Sequence, residues 1–530
     1  MSTPGFTAGF QGLHDEAEVA ELPVKGALPG WLEGSLLRNG PARYDAGEHS
    51  LRHWFDGQAM LHRFTIDSGK VSYANRFLDT ASRRAVESGT IAYPEFATDP
   101  CRSLFARFFT RFSRRPTLNA NVNITRFGDR FVALTETPIP VAFDRDTLAT
   151  AGVVGYEDEL SGQLTTAHPH QDPTTGDLVN YLLHFSRTSE YRVYRQQATG
   201  TARELIGTHR IARPSYMHSF AITRRYAVLA EFPLVVNPVS IVLSGRPFIE
   251  NYRWEPERGT RFTVMDLRDG SVRGVYEGPA FFAFHHINAF DDGDDIVLDM
   301  CSYEDASIID TLYLDRLRAG DAIPFALPTR YRIGLGSGEV EVRRLSEEAL
   351  ELPRIAYERH NGVDYRYVYG VGARDRSGDD FLNQLVKVDV TTGQALKWSE
   401  EGCYPGEPVF VAAPTAAPGA EGEDDGVMLS VVLDSARGSS FLLVLDARTY
   451  EVLARADVPH APSPSASTGC SPGTPRRYGC GPCAGFGPCA NPSPTRDSPR
   501  SRSRRSATSR PGQPRCGRRP RPWRRTPCPR

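Results

Sequence analysis

Three stretches of the chain carry histidine in settings that hold a side chain at a fixed angle. The first, Thr-Thr-Ala-His-Pro-His-Gln-Asp over 165–172, contains His168 and His170. Pro169 between them bars a regular helix and confines the local backbone, so an imidazole there is aimed and kept in place. The second, Pro-Ser-Tyr-Met-His-Ser-Phe over 214–220, contains His218. The third, Phe-Phe-Ala-Phe-His-His-Ile-Asn over 281–288, contains His285 and His286. One such histidine is ordinarily a hydrogen-bonded core residue. Three of them, in Pro- and aromatic-rich surroundings between β-like runs, indicate a metal site shared by distant segments. Neutral imidazole suits iron, zinc, copper or nickel, and the stability order alone favours copper, so residue type and spacing leave the metal open.

The elements around these segments have to bring them together. Short β-rich runs, such as 130–136, 226–232, 295–299, 384–389 and 426–433, are separated by Gly, Asp and Asn turns. Many short strands of this kind point to a barrel, a sandwich or a propeller. The histidine spacing, 50 residues from 168 to 218 and 67 from 218 to 285, is that of a four-stranded propeller blade plus insertions. In a propeller the innermost strands meet at the central axis, where ligands from successive blades converge. One segment breaks the β pattern. After Asp99-Pro100, apolar residues fall at Cys101, Leu104, Phe105, Phe108, Phe109 and Phe112, a single helical face, with Arg102, Arg107 and Arg111 off the stripe. Phenylalanines set against arginines are the pattern of a helix lying in a membrane surface, and Leu104, Phe105, Phe108, Phe109 and Phe112 are its expected contacts.

Charge divides the chain near residue 460. The segment 461–530 has fifteen Arg and one acid, Asp497, which leaves the preceding residues at −16 within a chain of −2. An acidic body argues against nucleic acid as a ligand. Six of the nine cysteines fall in the basic segment, and Cys101, Cys301 and Cys403 are too scattered for a disulfide framework, which suits a reducing cytoplasm. No signal-peptide pattern and no run of eighteen apolar residues is present, so the expected location is cytoplasmic with peripheral membrane attachment.

Six motifs in order resemble the carotenoid cleavage oxygenases: Arg38-Asn-Gly-Pro41, Trp54-Phe-Asp-Gly57, Thr166-Ala-His-Pro-His170, Tyr216-Met-His-Ser-Phe220, Phe284-His-His-Ile-Asn288 and Glu407-Pro-Val-Phe-Val411. The resemblance spans about 34 to 460. It implies an all-β, seven-bladed β-propeller with non-haem ferrous iron, Fe(2+), on its axis, held by four histidines. It also implies O2-dependent cleavage of a polyene double bond to two carbonyl products, with no catalytic residue beyond the metal centre. Three ligands carry over to His168, His218 and His285, whereas His170 and His286 match neighbours that are not ligands. Glutamates that hold the far ring nitrogens match Glu136, Glu351 and Glu407. The segment 99–112 resembles the family's membrane-contacting region. Members that cleave phenolic stilbenes carry Lys where this chain has Thr135, so the implied substrate is an apolar carotenoid or apocarotenoid, with lignostilbene cleavage the alternative. A non-catalytic, polyene-binding propeller is the other alternative.

The family's fourth histidine lies near the C-terminus in a Pro-Phe-Gly-Phe-His-Gly-like stretch, and no histidine follows His460 here. The domain 1–460 is therefore expected to be a propeller whose last blade is incomplete, and loss of the fourth ligand is expected to impair metal binding and cleavage in this chain. The segment 461–530, without Leu, Ile, Val or Lys, is expected to be a disordered tail. A slipped reading frame accounts for both. Residues 461–469, back-translated as GCC CCT TCC CCT TCG GCT TCC ACG GGC and read two letters later, give Pro-Phe-Pro-Phe-Gly-Phe-His-Gly. The missing histidine codon then straddles Ser467 and Thr468.

Overall fold

The structure is a computed structural model that describes residues 5–99, 118–375, 377, 380–414 and 422–459. Leu104, Phe105, Phe108, Phe109 and Phe112 of the expected interfacial helix, and the segment 461–530, lie outside the described residues.

Seven antiparallel sheets of four to six strands follow one another along the chain as the blades of a β-propeller. Their first strands are Gly34–Arg43, Asn123–Phe127, Leu164–Thr165 with His170–Gln171, Ala221–Ile222, His286–Asp292, Glu351–Arg354, and Cys403–Pro405 with Val409–Ala412. Burial falls off across a blade. In blade 4 the second strand, Tyr226–Glu231, is buried at every position, whereas the fourth, Val272–Gly278, is mostly solvent-facing. A strand covered on both faces by neighbouring blades needs a continuous apolar run, which is what residues 226–230 supply. Asparagines on the first strands link one blade to the next. Asn39 Nδ2 donates to Ala120 O at 2.7 Å, Asn123 Nδ2 to Ala167 O at 2.8 Å, and Asn288 Nδ2 to His360 O and Val363 O at 2.8 and 2.9 Å.

A turn recurs between third and fourth strands. The carboxylates of Asp144, Asp266, Asp389 and Asp446 each accept the backbone N–H two residues on, at 3.1, 3.0, 2.9 and 2.9 Å. These Asx turns fix the hairpin geometry in blades 2, 4, 6 and 7.

The seventh sheet, expected from the sequence to be incomplete, holds six strands. The chain from Cys403 to Val458 supplies five, and Val24–Gly26 pairs with the last of them in the register Val24↔Ala456, Lys25↔Arg455, Gly26↔Ala454. An early strand thus forms the outer edge of this sheet. Lys25 Nζ reaches Asp457 Oδ2 at 2.8 Å, and Gly26 has φ +87° with the position of a Cβ only 2.2 Å from Leu453 O. Gly26→Ala should therefore push this strand off its edge, at a cost of roughly 1–3 kcal/mol. Thermal denaturation tests this, and an unchanged melting temperature would show that the strand tolerates a side chain there.

Candidate metal centre

The histidines lie at one end of the blades for a topological reason. His168 sits between the two short segments of the first strand of blade 3, His218 three residues before that of blade 4, and His285 immediately before that of blade 5. Glu351 opens the first strand of blade 6, and Glu136 follows the second strand of blade 2, Arg130–Leu134. In an antiparallel sheet the start of strand one and the end of strand two share an edge, so all of these side chains are presented on the same side of the ring.

One ring nitrogen from each of His168, His218 and His285 falls within a cluster whose atoms all lie within 4.8 Å of one another. His168 Nε2 and His218 Nε2 are 3.0 Å apart. The rings of His168 and His218 each stand at about 90° to that of His285, with centroids 5.3 and 5.1 Å away. Two nitrogens bound side by side to one ion, each at about 2.1 Å, are roughly 3 Å apart, which is the spacing seen.

Carboxylates settle which nitrogens are free. Glu136 Oε1 accepts from His218 Nδ1 at 2.7 Å, and Glu351 Oε2 accepts from His285 Nδ1 at 2.6 Å. A carboxylate can only accept here, so the proton sits on Nδ1 and the Nε2 lone pair of each ring is left for a cation. Burial, reinforced by the neighbouring imidazoles, pushes His168 well below its ordinary range and keeps it neutral. Three converging imidazoles, two of them backed by carboxylates, fit a divalent transition metal.

His170 and His286 are held away from the cluster. His170 Nε2 donates to Phe220 O at 2.8 Å while its Nδ1 faces the Tyr357 hydroxyl at 3.0 Å. Ser219 Oγ, which gives its proton to Phe284 O at 2.6 Å, receives His286 Nδ1 at 2.7 Å. Burial pushes the two rings down to about 4 and about 3, so both stay neutral. Glu407, expected behind a histidine, is paired with Arg354, Nη2 to Oε1 at 2.7 Å. The missed partner is three residues beyond Glu351 on the same short strand.

Two hydroxyls join the histidine-bearing segments across blades. Thr166 Oγ1 accepts the N–H of His168 at 3.0 Å and donates to the carbonyl of His218. Ser219 links blade 4 to blade 5 through Phe284 O and the N–H of His286, the latter at 3.2 Å. Both flank the histidines in the sequence, yet only the fold shows what they reach. Tyr216 donates to Glu136 Oε1 at 2.8 Å, and burial beside that carboxylate pushes its phenol well above its ordinary range, so it keeps its proton. An aromatic wall stands over His218: Phe55 lies nearly parallel to it at 6.2 Å, and Phe284 edge-on at 5.6 Å.

Residues 10–465 match the family described as retinal pigment epithelial membrane protein. The chain belongs to that family. Among relatives of the retinal pigment epithelial membrane protein family, it is 34% identical over 514 residues to the mitochondrial carotenoid-cleaving dioxygenase of Mustela putorius furo, covering 84% of this chain and 93% of that one. It is 37% identical over 468 residues to carotenoid cleavage dioxygenase 8 homolog A, chloroplastic, of Oryza sativa subsp. japonica, covering 83% of each. A solved structure, cobalt-substituted Synechocystis ACO, superposes with a TM-score of 0.78 at 27% identity, covering 88% of this chain and 98% of the other.

Proposed function

We propose that this chain is an Fe(2+)-dependent dioxygenase that cleaves a double bond of a carotenoid or apocarotenoid to two carbonyl products, with His168, His218 and His285 as metal ligands. The observation that carries this reading is the meeting of three ring nitrogens within 4.8 Å, two of them on rings whose opposite nitrogens are fixed by Glu136 and Glu351. Iron supplies the electrons that make O2 reactive towards an alkene. The protein's own part is to hold the ligands oriented, through Glu136 behind His218 and Glu351 behind His285. Phe55, Phe96 and Phe284, with ring centroids 5.3 and 5.7 Å from Phe55, offer a polyene an apolar surface beside His218. Thr135 places no cation beside Glu136, which favours an apolar chain over a phenolic stilbene.

Peripheral membrane association, on the cytoplasmic side, completes the proposal. The helix Pro238–Leu243 leaves Val239 and Leu243 exposed, at 55% and 59%, with Arg246 following at the surface. Among the described residues no helix is long and apolar enough to cross a membrane. The match to the family ends at residue 465, close to the change of composition at 461. That coincidence supports the slipped-frame reading of the tail, and the nucleotide sequence around codon 461 tests it. If no one- or two-base change there restores a histidine, the reading is wrong.

The decisive assay offers the purified chain Fe(2+), O2 and an apocarotenal. The expected result is about one iron per chain and aldehyde products. A folded chain that takes up no iron and cleaves nothing would leave a non-catalytic propeller.

A further inference from the structure

Each carboxylate oxygen that receives a histidine proton also receives a second donor. Glu351 Oε2 accepts His285 Nδ1 at 2.6 Å and the N–H of Leu352 at 2.6 Å. Leu352 has φ +51°, a left-handed conformation rare for a leucine, and the pairing of this strand shifts register between Glu351 and Arg354. The backbone there is bent so that its own N–H reaches that oxygen. At Glu136 the second donor is a side chain: Oε1 takes His218 Nδ1 at 2.7 Å and the hydroxyl of Tyr216 at 2.8 Å. Two glutamates from different blades are thus anchored in the same way, one by main chain and one by a phenol.

From this parallel we infer that Tyr216 is a positioning residue of the metal centre, acting through Glu136 to fix the ring plane of His218. The inference rests on the metal reading of the three histidines. A carboxylate bound only by the imidazole it orients can swing with that ring, whereas a second donor on the same oxygen holds it against the blade. Tyr216 is 3% exposed, and its own ring is packed against Phe96 and Tyr252, with centroids at 5.7 and 5.9 Å, so the hydroxyl starts from a fixed place.

Tyr252 provides the comparison. It is 4% exposed, and its hydroxyl has no hydrogen-bond partner among the described residues. Metal-free full-length protein is titrated with Co(II), following heat release and the visible absorption of the bound ion. Tyr216→Phe should bind about tenfold more weakly, the lower end of what loss of an outer partner costs, and shift the visible bands. Tyr252→Phe should match the wild type in both. In a Glu136→Ala background, Tyr216→Phe should have no further effect, because nothing remains for the hydroxyl to act through. Wild-type affinity and spectrum in Tyr216→Phe would overturn the inference, as would an equal loss in the Glu136→Ala background. A Tyr216→Phe chain that no longer folds without metal makes the hydroxyl structural and overturns it too. A wild type that takes up no cobalt removes the metal reading itself, and this inference with it.

Discussion

His218→Ala should abolish tight metal binding while leaving the propeller folded. Of the three clustered histidines, His218 is fixed at three points: Glu136 holds its Nδ1, Thr166 holds its carbonyl, and its Nε2 stands 3.0 Å from that of His168. Losing one of three nitrogens should weaken metal affinity by at least about 100-fold, beyond the 10–100-fold that an outer partner accounts for. Iron per chain after gel filtration, and aldehyde formation, should both fall to background. The substitution removes an imidazole from the end of a blade and leaves the strand Ala221–Ile222 untouched, so metal-free melting should drop by little. Full iron retention would take His218 out of the site.

The second large effect concerns the ring itself. Lys387 is 4% exposed and bridges two blades, its Nζ donating to Asp424 Oδ2 at 2.6 Å and to Ala447 O at 2.9 Å, with Tyr367 beneath it at 4.2 Å from the ring centre. Lys387→Met keeps the length and apolar stem but strands the Asp424 carboxylate, itself 8% exposed, and frees a buried carbonyl. Breaking a buried pair from one side typically costs about 3–5 kcal/mol. Denaturant unfolding should show that loss, and Lys387→Met with Asp424→Asn should recover part of it. If the single variant were as stable as the wild type, the pair would contribute nothing to the junction.

The histidines were legible because each sits in a motif whose proline or aromatic neighbours mark it, and the propeller because strand-length runs recur at blade spacing. What stayed hidden depends on contacts between residues far apart in sequence. Tyr216 and Glu136 are 80 residues apart, and nothing local ties a phenol to a strand-end carboxylate. The partner found for Glu407 was hidden in a different way, because Arg354 reads as an ordinary basic residue after a proline. The Asx turns at Asp144, Asp266, Asp389 and Asp446 are the repeat that spacing alone left faint. Their shared chemistry covers only a few residues, and insertions such as 233–259 in blade 4 separate them unevenly. The strand Val24–Gly26 is three residues long, too short for any period to show. The expected interfacial helix lies outside the described residues, whereas Val239 and Leu243 supply an exposed apolar face that a six-residue helix did not announce.

The pairing of Val24–Gly26 with Val452–Val458 sets the order in which the molecule can be assembled on a ribosome. The first partner emerges early and must wait, unpaired, until more than four hundred further residues have been synthesised, since Lys25 and Asp457 are 432 positions apart. Every earlier blade can form its own hairpins as it appears, but this pairing waits for Val452–Val458, the last strand among the described residues. Maturation of this protein should therefore be slow, and nascent chains stalled before residue 452 should hold an open arc that chaperones recognise.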